Sequence, residues 1–207
     1  MRRSMNYAGL DLGKMGDPSA LAVVQREELL RPWEEASFCG LLVRYLERIP
    51  LGTPYTAVVE RVREVATHPL LSGGCLLTVD ATGVGVPVVD MLRGSRMPCG
   101  MTAVTITGRE KAHGKGDSWH VPKRDLLNGL QVLIERKELR IAKRLRESRA
   151  LVKELIGMRM NQRPSGVPRF GADGSGEHDD LVLALALVCW QAMRPKNGFG
   201  GQRLPGI

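Results

Sequence analysis

Ten consecutive apolar residues, Leu181 to Trp190, follow directly on the polar run Glu177-His178-Asp179-Asp180. At helical pitch such a run has no polar side, so a helix from about Asp179 to Met193 has to be covered on nearly every face. A layered fold that encloses one helix is therefore required. The same run is too short to span a bilayer, and Met1-Arg2-Arg3-Ser4 has no apolar signal region behind it, which predicts a cytoplasmic protein with no membrane contact. The 207 residues, 43% hydrophobic and 25% charged, suffice for one core. We expect a single domain over 1–193 and a flexible basic Gly/Pro tail over 194–207.

What surrounds that helix is legible in the first half of the chain. Tyr7 to Leu12 reads as a strand, and Ala20 to Gln25 as a second one reached through the turn signal Gly16-Asp17-Pro18. Phe38 to Leu46 reads as a third, although its length also allows a helix. After Pro54, the residues Tyr55, Val58, Val59, Val62 and Val65 fall at helical spacing with charges opposite. Cys75 to Val79 is a fourth strand, followed by a glycine-rich turn and a helix over Pro87 to Leu92, and Met101 to Thr107 is a fifth. Three consecutive strands followed by alternating helix and strand define an α/β fold, a mixed five-stranded sheet flanked by helices. Further helices are expected behind Pro122, with Leu126, Leu127, Leu130, Leu133 and Ile134 inward, and over Glu147 to Met158, with Leu151, Val152, Leu155 and Ile156 inward.

Charge is regional. Between Arg109 and Arg169 stand 16 basic and 7 acidic residues, a net of +9, against a net of −1 for the remainder of the chain. A local positive field suits a polyanion, although a solvated helix face produces the same count. Lys115, Lys123, Arg124, Arg136, Lys137, Lys143, Arg144, Arg146 and Arg149 are the candidate phosphate contacts. Aromatic residues are few and unclustered there, so duplex backbone recognition is favoured over base stacking. The polar segment Gly108 to His120 reads either as a plain surface loop or as a mobile hairpin that steers DNA. Cys39, Cys75, Cys99 and Cys189 form no CxxC pair, which argues against zinc and against a disulfide framework.

The acids are placed more tellingly. Asp11 and Asp80 each end a strand, and in open α/β sheets ligands collect outside those ends. Gly9, two residues before Asp11 on the same face, leaves room beside that carboxylate. If the two strands are neighbours their carboxylates can share a cation; alternatively each Asp simply forms a turn. Asp179 and Asp180 stand where a helix cap belongs, yet two adjacent acids exceed what a cap needs, and a buried helix would hold them rigidly. A few separated carboxylates suit Mg²⁺, and a pair of such ions can bind the attacking and leaving oxygens of a phosphodiester.

Taken together, Gly9-Leu10-Asp11-Leu12-Gly13 with its hairpin strand, Val79-Asp80-Ala81-Thr82-Gly83-Val84-Gly85, Trp119-His120-Val121-Pro122-Lys123, and Glu177 to Ala186 resemble the nuclease domain of tailed-phage large terminase subunits. The resemblance covers about residues 6 to 193 and lies in the order of the motifs rather than in any one. It implies a ribonuclease H-like fold and metal-dependent cutting of double-stranded viral DNA during packaging, in a bacterial host. By position it makes Asp11, Asp80 and Asp180 the catalytic acids and metal ligands, with Asp179 a fourth ligand, Asp11 bridging two Mg²⁺ or Mn²⁺ ions, and His178 in a supporting position or a cap.

Family members join this domain to an ATPase motor. Here the only approach to a phosphate loop, Gly108 to Lys115, has the wrong spacing and Gly116 where Ser or Thr should follow, so no ATP is expected. We expect an excised domain, a split-gene product or a prophage relic, monomeric when isolated, whose motor and portal are separate partners. Three other readings compete. Sugar kinases and actin-like ATPases share the opening Gly-x-Asp-x-Gly, but need two lobes. Holliday-junction resolvases and transposases share the acids and differ in substrate. A DNA-binding remnant would keep the fold and the basic face without turnover.

Overall fold

The chain opens with a strand that faces two cores. In the computed structural model, which describes residues 2–13, 16–29, 37–71, 74–83, 85–160 and 179–194, β1 (Arg2–Asp11) sends Ala8 and Leu10 to one side of the sheet and Tyr7 to the other. It pairs antiparallel with β2 (Ser19–Leu29), which pairs antiparallel with β3 (Ser37–Ile49). After α1 (Tyr55–Ala66) comes β4 (Cys75–Asp80), laid parallel to β1; after α2 (Gly85–Gly94) comes β5 (Gly100–Thr107), parallel to β4. All five expected strands are present, each extended beyond its apolar run on at least one side, although β1 stops at Asp11, one residue short of Leu12.

Three short strands extend this sheet to eight, in the order β6-β7-β5-β4-β1-β2-β3-β8. β6 (His113–Lys115) and β7 (Ser118–Pro122) form a hairpin within the segment read as a loop or hairpin, and β7 runs parallel to β5. Following α3 (Lys123–Glu135), β8 (Leu139–Ile141) joins the outer side of β3; three residues are too few for a sequence period to reveal.

On one face α1 and α2 cover Leu10, Leu21, Val23, Leu77 and Val79. On the other lies α5 (Asp180–Met193), with α3 and α4 (Ser148–Met160) packed around it. That arrangement answers the all-apolar run: every residue from Asp180 to Cys189 is buried. β1 and β2 meet α5 through small residues. A Cβ at Gly9 would lie 2.9 Å from Val188 Cβ and 3.0 Å from Val188 N, and would strike the Ala184 carbonyl oxygen. The room left by Gly9 is thus filled by helix backbone, not held open beside Asp11.

α4 departs from its expected face. Leu151 is fully buried, but Val152 and Ile156 are 47% and 55% exposed. With Leu127, Leu130 and Ile134 of α3 and Val182 of α5 they border an open apolar groove, because α4 meets α5 along its margin. The cysteines Cys39, Cys75, Cys99 and Cys189 are all free thiols. No helix among the described residues is long and apolar enough to cross a membrane.

Candidate metal and nucleic-acid site

The carboxyl ends of β1 and β4 bring two acids together. Leu10 stands opposite Val79, so the next position on each strand places Asp11 beside Asp80. Asp11 pairs with Ala20 on β2, and Ala20 with Arg48 on β3. One lateral row across the sheet therefore reads Asp80, Asp11, Ala20, Arg48. Asp80 does serve the turn weighed for it, since its Oδ1 accepts the Thr82 N–H at 2.8 Å, and it is also hydrogen-bonded to Asp11. Gly85 lets α2 start tightly behind it: a Cβ there would lie 3.1 Å from the Asp80 carbonyl carbon.

The N-terminus of α5 closes over this row. Asp11, Asp80 and Asp180 are 6%, 9% and 3% exposed. Burial holds the Asp11 carboxyl well above its usual range, and the charges of Asp80, Asp180 and Asp179 raise it further, as does the bond with Asp80. Four acids from three separate elements thus lie within electrostatic reach of one another.

Asp179 occupies the cap position of α5 but makes no side-chain cap bond. Its Oδ2 instead meets Lys123 Nζ at 2.7 Å, which ties the first residue of α3 to the acids. A residue that sequence reasoning passed over does the capping. Glu154 of α4 accepts the Val182 N–H through Oε2 at 3.1 Å and pairs through Oε1 with Arg48 Nη2. Arg48 Nε lies 3.6 Å from Asp180 Oδ2, too far for a hydrogen bond but close enough to attract. The Glu154 carboxyl is pushed up to about 7, chiefly by burial; the Val182 N–H and Arg48 oppose the shift while Asp180 and Asp179 add to it. The sequence signal for this pair was Glu154, a charge inside an apolar stripe; Arg48 lies beyond the strand read over Phe38 to Leu46 and joins it only as β3 runs on to Ile49.

As they stand, no three His, Cys, Asp or Glu side chains among the described residues surround a common point. The donor set nevertheless fits a hard divalent cation. It consists of carboxylates alone, crowded so that Asp11 resists ionising, and a cation is what relieves that repulsion.

Of the basic candidates, the structure brings Lys123 to the acids. Arg124 follows it and donates to the Glu110 carbonyl in the turn after β5. Arg136 and Lys137 lie at the other end of α3, roughly 20 Å away along a 13-residue helix. Lys143, Arg144, Arg146 and Arg149 are exposed on the connection from β8 and the first turn of α4, and Lys115 is exposed at the end of β6. His178 lies outside the described residues, as do 195–207 of the expected tail. Arg194 is described: its guanidinium stacks 3.9 Å from the Trp119 ring and 4.9 Å from the Trp190 ring.

No protein-family model matches the chain, and no curated protein sequence matches it. Solved structures do. The large terminase nuclease of thermophilic phage G20c superposes over 91% of this chain and 82% of its own, at 20% identity and a TM-score of 0.55. The human cytomegalovirus terminase nuclease domain, soaked with Mn, covers 90% and 81% at 16% identity and a TM-score of 0.51. The large terminase nuclease domain of bacteriophage SPP1, with bound Mn, covers 91% and 87% at 13% identity and the same score of 0.51. The chain accordingly has a ribonuclease H-like fold, the α/β class its motifs pointed to. Within that class, the fold is that of terminase nuclease domains.

Proposed function

We propose that the chain is a divalent-metal-dependent endonuclease that cuts double-stranded DNA, as a terminase nuclease does. One observation supports this reading: Asp11 and Asp80 stand side by side at the carboxyl ends of the parallel strands β1 and β4, and Asp179 and Asp180 at the start of α5 lie within electrostatic reach of Asp11. Asp11, Asp80 and Asp180 would hold Mg²⁺ or Mn²⁺, with Asp179 as a fourth ligand. Such ions would supply charge stabilisation for the attacking and the leaving oxygen of a phosphodiester.

The chain's own residues supply the rest. Asp11, beside Asp80 and within electrostatic reach of Asp180 and Asp179, would hold the metal together with them. Gly9 seats α5 so that Asp180 is fixed on a buried helix rather than a loop. Lys123 sets a positive charge at the rim, where a DNA phosphate would enter, and the exposed basic residues of α3, β8–α4 and β6 would track the backbone without reading bases. No ATP takes part; motor and portal would be separate partners, the isolated chain would be a monomer, and the setting would be the cytoplasm of a phage-carrying bacterium.

The test is cleavage of supercoiled plasmid in EDTA, Mg²⁺ or Mn²⁺, with Asp11→Ala and Asp180→Ala as controls. Metal-dependent nicking and linearisation lost in both variants supports the reading. Preference for four-way junctions over duplex would move it to a resolvase, and DNA binding by folded protein with no cleavage under any metal would leave a binding remnant.

A further inference from the structure

Among the described residues, Lys123 and Arg48 both reach the acids, and the two are held differently. Lys123 meets Asp179 directly at 2.7 Å. Arg48 is shared: its Nη2 is bound to Glu154, while its Nε stands 3.6 Å from Asp180 Oδ2 without hydrogen-bonding. Both carboxylates are almost wholly buried, with side chains 7% and 5% exposed, so neither is screened by water. In the lateral row the residue between Arg48 and Asp11 is the small Ala20. Glu154 is anchored in turn by the Val182 N–H, in the first turn of the helix that carries Asp180.

Resting on the metal role proposed for Asp180, we infer that Arg48 is a resident counter-cation that competes with the metal for Asp180, and that Glu154 sets the strength of this competition by holding the guanidinium back. A guanidinium cannot lose its charge near neutral pH, so the only way to weaken its hold on Asp180 is to engage its fork elsewhere. Glu154 is placed to do that. A merely structural clamp would make every break in the Arg48–Glu154 pair harmful to metal binding. Competition gives the two single variants opposite signs.

The experiment is calorimetric titration of the metal-free full chain with Mn²⁺ alone, no DNA present, with the thermal midpoint in EDTA recorded for each variant. Arg48→Gln should bind Mn²⁺ at least about tenfold more tightly, the order expected for removing a unit charge a few ångströms from a divalent ion even if the medium between them were largely aqueous. Glu154→Gln should bind it several-fold more weakly, and the double variant should bind like Arg48→Gln, because Glu154 acts through Arg48. Arg48→Lys, which keeps the charge, should stay within about threefold of the unaltered chain. Weaker or unchanged binding by folded Arg48→Gln overturns the inference. So does a double variant as weak as Glu154→Gln. If Arg48→Gln does not fold, Glu154→Gln decides: weaker binding supports the inference, unchanged or tighter binding overturns it. Failure of the metal reading itself looks different, since Mn²⁺ would then not bind the unaltered chain or would bind Asp11→Asn equally well.

Discussion

Gly9 and Val188 touch across the interface between the first strand and the last helix, with 2.9 Å between Val188 Cβ and the place a Cβ at position 9 would occupy. Position 9 is thereby closed to every side chain, and α5 can rest on the sheet at the height that brings Asp180 over Asp11. Gly9→Ala should force α5 outward at a cost of about 1–3 kcal/mol, the usual range for overpacking. Its thermal midpoint should fall by several degrees, and Mn²⁺ affinity should fall with it, since Asp180 moves with the helix. An unchanged midpoint would show that α5 does not bear on β1 as described.

Metal should stabilise the fold. A cation that binds the native acids and not the unfolded chain adds about 2.7 kcal/mol at a hundredfold excess over its Kd. The thermal midpoint should rise with Mn²⁺ in the unaltered protein and stay flat in Asp11→Asn and Asp180→Asn, as scanning calorimetry would read.

In EDTA the same acids give a pH dependence with a definite sign. Glu154, pushed up to about 7 from an ordinary value near 4.5, binds its proton more tightly folded than unfolded. Its contribution is therefore full below the unfolded value and is lost as pH rises through the folded one. Asp11 acts in the same direction. The metal-free protein should lose stability between about pH 4.5 and 7, by up to about 3 kcal/mol from Glu154. Glu154→Gln should flatten that slope in thermal scans across the range; an unchanged slope would assign it elsewhere.

The hairpin β6–β7 is built into the sheet rather than loosely attached. Val121 is fully buried, and Trp119 packs edge-on against Trp190 at 5.9 Å beneath Arg194. Deleting 113–122 should lower the thermal midpoint together with any cleavage. Trp119→Ala alone should cost about 2 kcal/mol, less than a fully buried tryptophan. A deletion that spared the midpoint would return the segment to the gating role weighed from its composition.

Replacing Lys143, Arg144, Arg146 and Arg149 with Gln should weaken duplex binding without changing sequence preference. The slope of log K against log salt should shrink by about 0.9 for each phosphate that the protein no longer neutralises. A slope equal to that of the unaltered chain would make these residues a solvated face only.

The sheet and its central helix were readable because each rests on a strong local period: Ala8 and Leu10 alternate against Tyr7 and Gly9, and α5 has no polar side to mistake. Asp11, Asp80 and Asp180 were legible as ends of elements, where a carboxylate has no local packing reason to be buried. The three-residue strand β8 was hidden because nothing so short carries a period. Arg48 and Glu154 were hidden for another reason. Each is an ordinary charge in its own segment, and only the register of β3 with β2 and the docking of α4 on α5 give them a shared purpose. The exposed Val152 and Ile156 show the converse, an apolar stripe that the fold leaves partly uncovered.

That the acids come from β1, β4 and the start of α5 also governs when they can meet. Contacts between segments far apart in sequence are slow to form, and during synthesis α5 leaves the ribosome after every strand it rests on. A chain synthesised only as far as α4 has Asp11 and Asp80 but lacks Asp180, so the four acids come together only once α5 has been made.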